Sequence, residues 1–368
     1  MSKSSDLLPV GLEDRLPQSA ARITGAMRAC LDVLASHGYE RVRPPLLEFE
    51  SSLASRMKGV ATERCFRMTD PASLRTLALR SDITPQISRI AATSMKDAPR
   101  PLRLAYSGDT ALIEASQLDP ARERLQLGGE LIGADTVAAA SEIVSTALEA
   151  LAAAGLTGLS VDFTMPDLVD TLAAQDGSLD AGTVEAIRAE LDTKDAGGLK
   201  AAGGAAYLPL LYAAGPIADA LPQLRELDAS GVLATRLDGL EAIAARVGSL
   251  ARVTLDPTER HGFEYQSWFG FTLYAEGVRG AAGRGGTYRI SGSEEAATGF
   301  TLYLDRLAEA VPQPEAATTI YLPDGHDAAI AGAFRAQGAR TISQLSADED
   351  PARLGCTHIL TGSDLSEI

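Results

Sequence analysis

The stretch Leu77 to Ala92, "LALRSDITPQISRIAA", ends an apolar run in Arg80, places Asp82 and Thr84 just beyond it, and opens a helix on Pro85. Such a junction can present a carboxylate and a hydroxyl to a polar ligand, or it can cap the helix, since Asp and Thr are common caps. Gln126 and Glu130 in "LQLGGELIGAD" add an amide and a second carboxylate. Other chemistry is poorly provided for. The four histidines (His37, His261, His326, His358) form no HExxH, so no metal site is expected. His261 has no identifiable partner for general base work, and no catalytic residue is assigned. Cys30, Cys65 and Cys356 form no CxxC and read as buried free thiols. The glycines of "GAAGRGGTY" do not make GxGxxG between a strand and a helix, so a dinucleotide fold is not indicated.

The elements around these residues follow from periodicity. Gln18 to His37 has apolar side chains at helical spacing, with Gly38 as its stop. "GYERVRPPLLE" reads as a strand interrupted by Pro44 and Pro45, which favour an edge or an interface because neither can donate to a ladder. "CFRMTDPASLRTLALR" reads as two strands joined by a polar turn, and "RPLRLAYSGDTALI" and "RERLQLGGELIGAD" as two more. Ala138 to Ala154 is a helix stopped by Gly155, and from about 160 to 250 short helical patterns form an insertion. Strands return in "FEYQSWFGFTLYAEG", and "ATGFTLYLDRLAEAV" runs from strand into helix. After "PQPEAA" the tail reads strand, helix, strand, helix, strand, with "DPARLG" as the second helix. The expectation is α+β: an antiparallel sheet flanked by helices over 1–310, with the helical insertion, and a small C-terminal α/β unit over 316–368.

With 368 residues, two or three domains are expected. A hydrophobic fraction of 45% and a charged fraction of 22% are ordinary for a globular protein. No apolar run approaches the roughly 20 residues of a membrane span, and the N-terminus lacks the apolar core of a signal peptide, so a cytoplasmic protein without membrane contact is expected. The net charge of −16, from 33 basic and 49 acidic residues, argues against nucleic-acid binding, and no local cluster of Lys and Arg offsets it.

Taken in order, the motifs resemble the class II aminoacyl-tRNA synthetases, and among them the histidyl-tRNA synthetases. "GYERVRPPLLE" is similar to motif 1, "LQLGGELIGAD" to the segment that closes motif 2, and "ATGFTLYLDRL" to motif 3, over roughly residues 7 to 310. The resemblance implies a histidine pocket in which Asp82 binds the α-amino group, Thr84 assists, Gln126 and Glu130 face the amino group and the imidazole, and Tyr265 supplies an aromatic wall. Those residue types suit the ligand, because an ammonium favours carboxylates and an imidazole favours an acceptor and a stacking face.

The adenylation machinery departs from that pattern. Leu112 stands where a motif 2 arginine is expected, His261 replaces a second arginine, and Tyr303 replaces a glycine that leaves room beside the adenine; Arg306 of motif 3 survives. "GRGGTYRI" differs from the usual Gly-Gly-Arg-Tyr-Asp at Thr287 and Arg289. One lost phosphate-binding arginine costs about 2.7 to 4 kcal/mol of transition-state stabilisation by analogy with an oxyanion donor. The tail is also shorter than the about 100 residues of a full anticodon-binding domain. These features resemble the regulatory subunits of ATP phosphoribosyltransferase, the synthetase paralogues of histidine biosynthesis. That resemblance implies a chain that is no enzyme and needs no cofactor or metal. It further implies homodimers within a hetero-octamer with the short-form catalytic subunit, which depends on this chain for activity and for feedback inhibition by histidine. A divergent histidyl-tRNA synthetase and a synthetase-like sensor of amino acid or tRNA are the alternatives.

Overall fold

The computed structural model describes residues 8–55, 65–113, 120–177, 179–259, 266–291, 293, 295–313 and 317–368. The chain divides into two compact units, Met1–Pro312 and Gln313–Ile368. The larger begins with α1 (Pro17–Ser36), whose Ile23, Ala26, Cys30 and Leu34 are buried at helical spacing, and Gly38 turns the chain at φ +79°. Then follow β1 (Glu40–Arg41), β2 (Leu47–Phe49), α2 (Glu50–Ser55), β3 (Arg67–Thr69), β4 (Thr76–Leu79) and α3 (Thr84–Ala92). Strands β2, β4 and β3 form a small antiparallel sheet, and Pro44 and Pro45 fall between β1 and β2, where no ladder needs their missing N–H groups.

The hairpin of β5 (Leu102–Ala111) and β6 (Glu123–Ile132) leads to α4 (Val137–Ala153), whose N-terminus is capped by the Thr136 side chain. Strand β7 (Ser160–Thr164) precedes the insertion: α5 (Leu168–Asp176), α6 (Ala181–Asp192), α7 (Ala196–Ala201), a 3-10 helix over Ala205–Tyr212, β8 (Gly215–Pro216), α8 (Ile217–Leu227) and α9 (Ala234–Val247). The unit closes with β9 (Arg252–Leu255), β10 (Gln266–Tyr274), β11 (Gly283–Arg289), β12 (Ala296–Tyr303) and α10 (Leu304–Leu307). A nine-stranded sheet results, in the order β1-β5-β6-β12-β11-β10-β7-β9-β8. Its centre is antiparallel, as expected, while β1 with β5 and β7 with β9 pair in parallel.

The period of two along β5 and β6 decides what the sheet offers on each face. Leu127 and Leu131 join Leu34, Ile143, Val144 and Leu148 in the main core under α1 and α4. Leu104, Tyr106 and Ile132 join Ile83 and Ile87 of the α3 segment in a second core on the opposite face. Ile143, Val144, Leu148 and Leu151 are completely buried, each contributing roughly 1.5–3 kcal/mol of transfer free energy. A one-residue slip of β6 would carry its leucines out of that core, so register is strongly fixed.

The smaller unit holds β13 (Thr319–Leu322), α11 (Ala328–Ala336), β14 (Arg340–Ser343), β15 (His358–Thr361) and β16 (Asp364–Glu367), with strand order β14-β13-β15-β16. Asp327 caps α11, and Ile320, Leu322, Ala331 and Leu360 form the core. "DPARLG" is a run of turns, since a segment so short and without an apolar stripe cannot sustain a helix. The last strand, β16, extends beyond the expected pattern by pairing back on β15.

Candidate functional site

The junction between β4 and α3 is anchored by Arg80. Its guanidinium is buried and donates to the carbonyls of Asp109 (2.7 Å) and Pro44 (3.2 Å) and to Gln86 Oε1 (3.2 Å), while Gln86 Nε2 donates to Pro45 O (2.7 Å). Arg80 therefore ties the proline segment, β5 and α3 together, and burial lowers its pKa. A side chain on Gly108 would collide with that guanidinium. Asp82 does not head the helix: Ile83 is the N-cap, and Asp82 Oδ1 accepts a long bond (3.4 Å) from Thr84 N–H.

Four of the five residues expected to bind an amino acid converge. Gln126 Oε1 accepts from Ile83 N–H at 3.1 Å, and the Gln126 side chain also hydrogen-bonds Asp82. Thr84 Oγ1 donates to Glu130 Oε1 at 3.0 Å, and Tyr288 OH donates to Glu130 Oε2 at 3.0 Å. Tyr265, like His261, lies outside the described residues. Leu112 continues the β5–β6 hairpin, its N–H donating to Arg122 O at 2.8 Å.

Cross-strand register explains how Glu130 is accommodated. Glu130 pairs with Gly299, Gly299 with Gly286, and Gly286 with Gly270, so three neighbouring strands present no side chain beside the carboxyl group. A Cβ on Gly299 would collide with the Glu130 carboxylate. One step along, Gly128 stands between Tyr106 and Thr301, and the Tyr106 hydroxyl reaches Thr301 Oγ1 at 2.6 Å and Thr84 Oγ1 at 3.3 Å. Glycine inside a strand weakens it and marks close approach of another group or a ligand. Tyr106, Tyr288 and this glycine row did not emerge from sequence reasoning; the one available signal was glycine recurring inside apolar strand patterns.

The electrostatics distinguish the two acids. Glu130 is 1% exposed, and burial pushes its carboxyl up to about 8, against the bonds from Tyr288 and Thr84. Asp82 is half-buried, and burial raises it too, opposed by the backbone N–H groups of Thr84 and Ile83 and by Gln126. At neutral pH Glu130 thus keeps a proton unless a cation is placed against it. The arrangement can bind a small zwitterion. Among the described residues no group of three or more His, Cys, Asp or Glu is placed for a metal ion.

On the side towards motif 3, Arg306 lies over the Tyr303 ring with its guanidinium carbon 4.9 Å from the centroid, and it donates to Ala281 O at 3.1 Å. A cation–π contact thus joins Arg306 to Tyr303. Tyr303 pairs with Gln126 in register, and burial raises its hydroxyl pKa, opposed by the charges of Arg284, Arg306 and Arg124 and reinforced by that of Asp82.

The profile of the histidyl-tRNA synthetase family matches residues 11–307. An ATP phosphoribosyltransferase regulatory subunit of Paramagnetospirillum magneticum is 40% identical over 377 aligned positions, covering 100% of this chain and 99% of that one. Its counterpart from Rhodospirillum centenum is 39% identical and covers 100% and 98%. Among solved structures, an ATP phosphoribosyltransferase regulatory subunit/histidyl-tRNA synthetase from Bacillus halodurans superposes with a TM-score of 0.81 at 26% identity, over 96% of this chain and 97% of that one. A histidyl-tRNA synthetase from Nostoc shares the fold with a TM-score of 0.76 at 15% identity, over 97% and 91%. With relatives of such identity aligned end to end, the chain belongs to the family of ATP phosphoribosyltransferase regulatory subunits, built on the histidyl-tRNA synthetase fold.

Proposed function

We propose that this chain is the non-catalytic regulatory subunit of ATP phosphoribosyltransferase in the first step of histidine biosynthesis. It associates with the short-form catalytic subunit, as homodimers within a hetero-octamer, activates it, and carries feedback inhibition by histidine. The end-to-end match to relatives of that name is the observation that carries the reading. The geometry supports it from two directions: Asp82, Thr84, Gln126 and Glu130 converge on one polar cluster, while Leu112 and Tyr303 stand at positions where adenylation needs an arginine and open space.

Histidine is the ligand proposed for the cluster. Its ammonium would lie against Asp82 and Gln126 and its imidazole against Glu130, over the row of glycines, with Tyr265 completing the wall. Histidine shifts the complex towards its inhibited state only by binding that state more tightly. The deciding experiment is phosphoribosyl transfer to ATP by the short-form catalytic subunit, with and without this chain, across a histidine titration. Activity that requires the chain and declines as histidine rises is expected. A rate unaffected by the chain would discard the proposal.

A further inference from the structure

The end of the sheet formed by β7 and β9 carries acids that the proposed function does not use. Asp162 stands within β7, opposite Thr254 of the parallel strand β9, whose hydroxyl donates to the Asp162 carboxyl group. Just beyond the end of β9, the Glu259 carboxyl hydrogen-bonds that of Asp162. An ionised carboxyl can only accept, so this bond exists only while one of the two acids keeps a proton. Asp256, the first residue after β9, is fastened to β7 by its N–H, which donates to Phe163 O at 2.9 Å.

The helical insertion reaches the same place. Lys194, in the turn between α6 and α7, donates from Nζ to Asp256 Oδ1 at 2.7 Å and to Thr258 Oγ1 at 2.6 Å. Thr258 N–H closes on Asp256 Oδ1 at 3.1 Å. Lys194 itself sits at φ +59°, a left-handed conformation that a residue with a Cβ adopts at a cost, so the turn persists because its surroundings hold it. The segment 256–259 is therefore gripped from two sides, by β7 through the carboxyl pair and by the insertion through Lys194.

We propose that the carboxyl pair of Asp162 and Glu259 is a proton-operated latch: one shared proton keeps the segment 256–259 closed on β7, and its loss to solvent frees that segment and, through Lys194, the turn between α6 and α7. The groups facing the pair set its range. Burial first, then the charges of Asp256 and Asp162, pushes Glu259 up to about 7, against the fields of Lys194 and Arg284 of β11. Burial raises Asp162 too, opposed by the bonds from Thr254 and Glu259. Tyr274 of β10 also faces the pair, its hydroxyl raised by burial and then by the charges of Glu259 and Asp162. Once the proton leaves, the charges of Asp162, Asp256 and Glu259 repel one another, while Lys194 is already engaged with Asp256. The latch does not depend on the regulatory function proposed above.

The test is hydrogen exchange of the full chain at pH 6 and pH 8, read by mass spectrometry on peptides that cover the α6–α7 turn and the segment 256–259, and corrected for intrinsic exchange rates. A carboxyl held at about 7 in the closed latch, against its ordinary 4.5 in the open one, binds more protons when closed, so protection falls as pH rises through that window. Local opening should be about tenfold easier at pH 8 than at pH 6. Glu259→Gln keeps a donor for Asp162 at every pH and should bring that ratio below about twofold. If this variant does not fold, Asp162→Asn, which likewise leaves no pair of carboxyls, should do the same. Glu130→Gln should leave the ratio in place. The proposal is overturned by a ratio below about threefold in the parent chain, or by an undiminished ratio in the folded Glu259 or Asp162 variant. Disappearance of the effect in Glu130→Gln, or an equal loss of protection in α1 and α4, would overturn it as well.

Discussion

Glu130 concentrates the chemistry of the polar cluster, and its neighbours make its behaviour testable. Its folded value of about 8 lies above its ordinary 4.5, so between these limits the folded chain binds more protons than the unfolded one. Stability must therefore fall as pH rises through that window, and the loss is complete only above the folded value. Glu130→Gln removes the ionisation while keeping the shape. Melting temperatures of parent and variant from pH 5 to 8.5 should diverge, the parent declining relative to the variant by a few degrees, since ~1 kcal/mol moves Tm by ~2–4 °C in domains of roughly 150–250 residues. Parallel curves would refute the protonated carboxyl. Gly299→Ala probes the same residue sterically. Because Thr84 and Tyr288 hold the carboxylate, the new methyl group cannot be met by a free swing of Glu130. Histidine affinity should drop about tenfold or more, read by calorimetry on protein that still melts cooperatively; undiminished affinity would remove Glu130 from the proposed ligand set.

Between elements, Arg80 shows how local pattern and tertiary role diverge. The sequence marks the end of a strand and the start of a helix at this point, and both form: β4 ends at Leu79 and α3 begins at Thr84. What the sequence could not reveal is that the arginine between them satisfies carbonyls of the proline segment and β5. Arg80→Met should remove the guanidinium donors from the carbonyls of Pro44 and Asp109, while Pro45 O keeps its bond from Gln86 Nε2, at ~1–3 kcal/mol for each group stranded. A loss of about 3 kcal/mol in denaturant unfolding of the larger unit is expected, whereas a change below about 0.5 kcal/mol would show the anchor to be dispensable. Helices and strands with strong periodicity, such as α1, α4, β5 and β6, were readable because one face of each is buried. The parallel pairing of β1 with β5 and the alignment of Gly299, Gly286 and Gly270 were not, since register between distant strands leaves no local trace. The turn at "DPARLG" shows the opposite error, in which residues compatible with a helix are too few to nucleate one.

For the molecule as a whole, the question is whether a synthetase fold has kept any adenylation chemistry, and the answer depends on residues that act together. Arg124 and Asp305 show why residues that act together were invisible in the sequence: they lie 181 positions apart and meet only through the fold. Leu112 is held as a hairpin residue by its bond to Arg122 and Tyr303 lies against Arg306, while the resemblance implies that Leu112 and His261 stand where the synthetases have arginines. If each lost cation costs about 10²–10³ in rate, two together suppress histidine-dependent pyrophosphate exchange by about 10⁴-fold or more. The parent chain should show no exchange above background beside a genuine histidyl-tRNA synthetase assayed in parallel. Leu112→Arg with Tyr303→Gly should remain about a hundredfold or more below that synthetase, because His261 is still in place. Exchange by the parent within about tenfold of the synthetase would mean that Arg306 and its neighbours still stabilise the reacting phosphate, and that the fold performs catalysis as well as regulation.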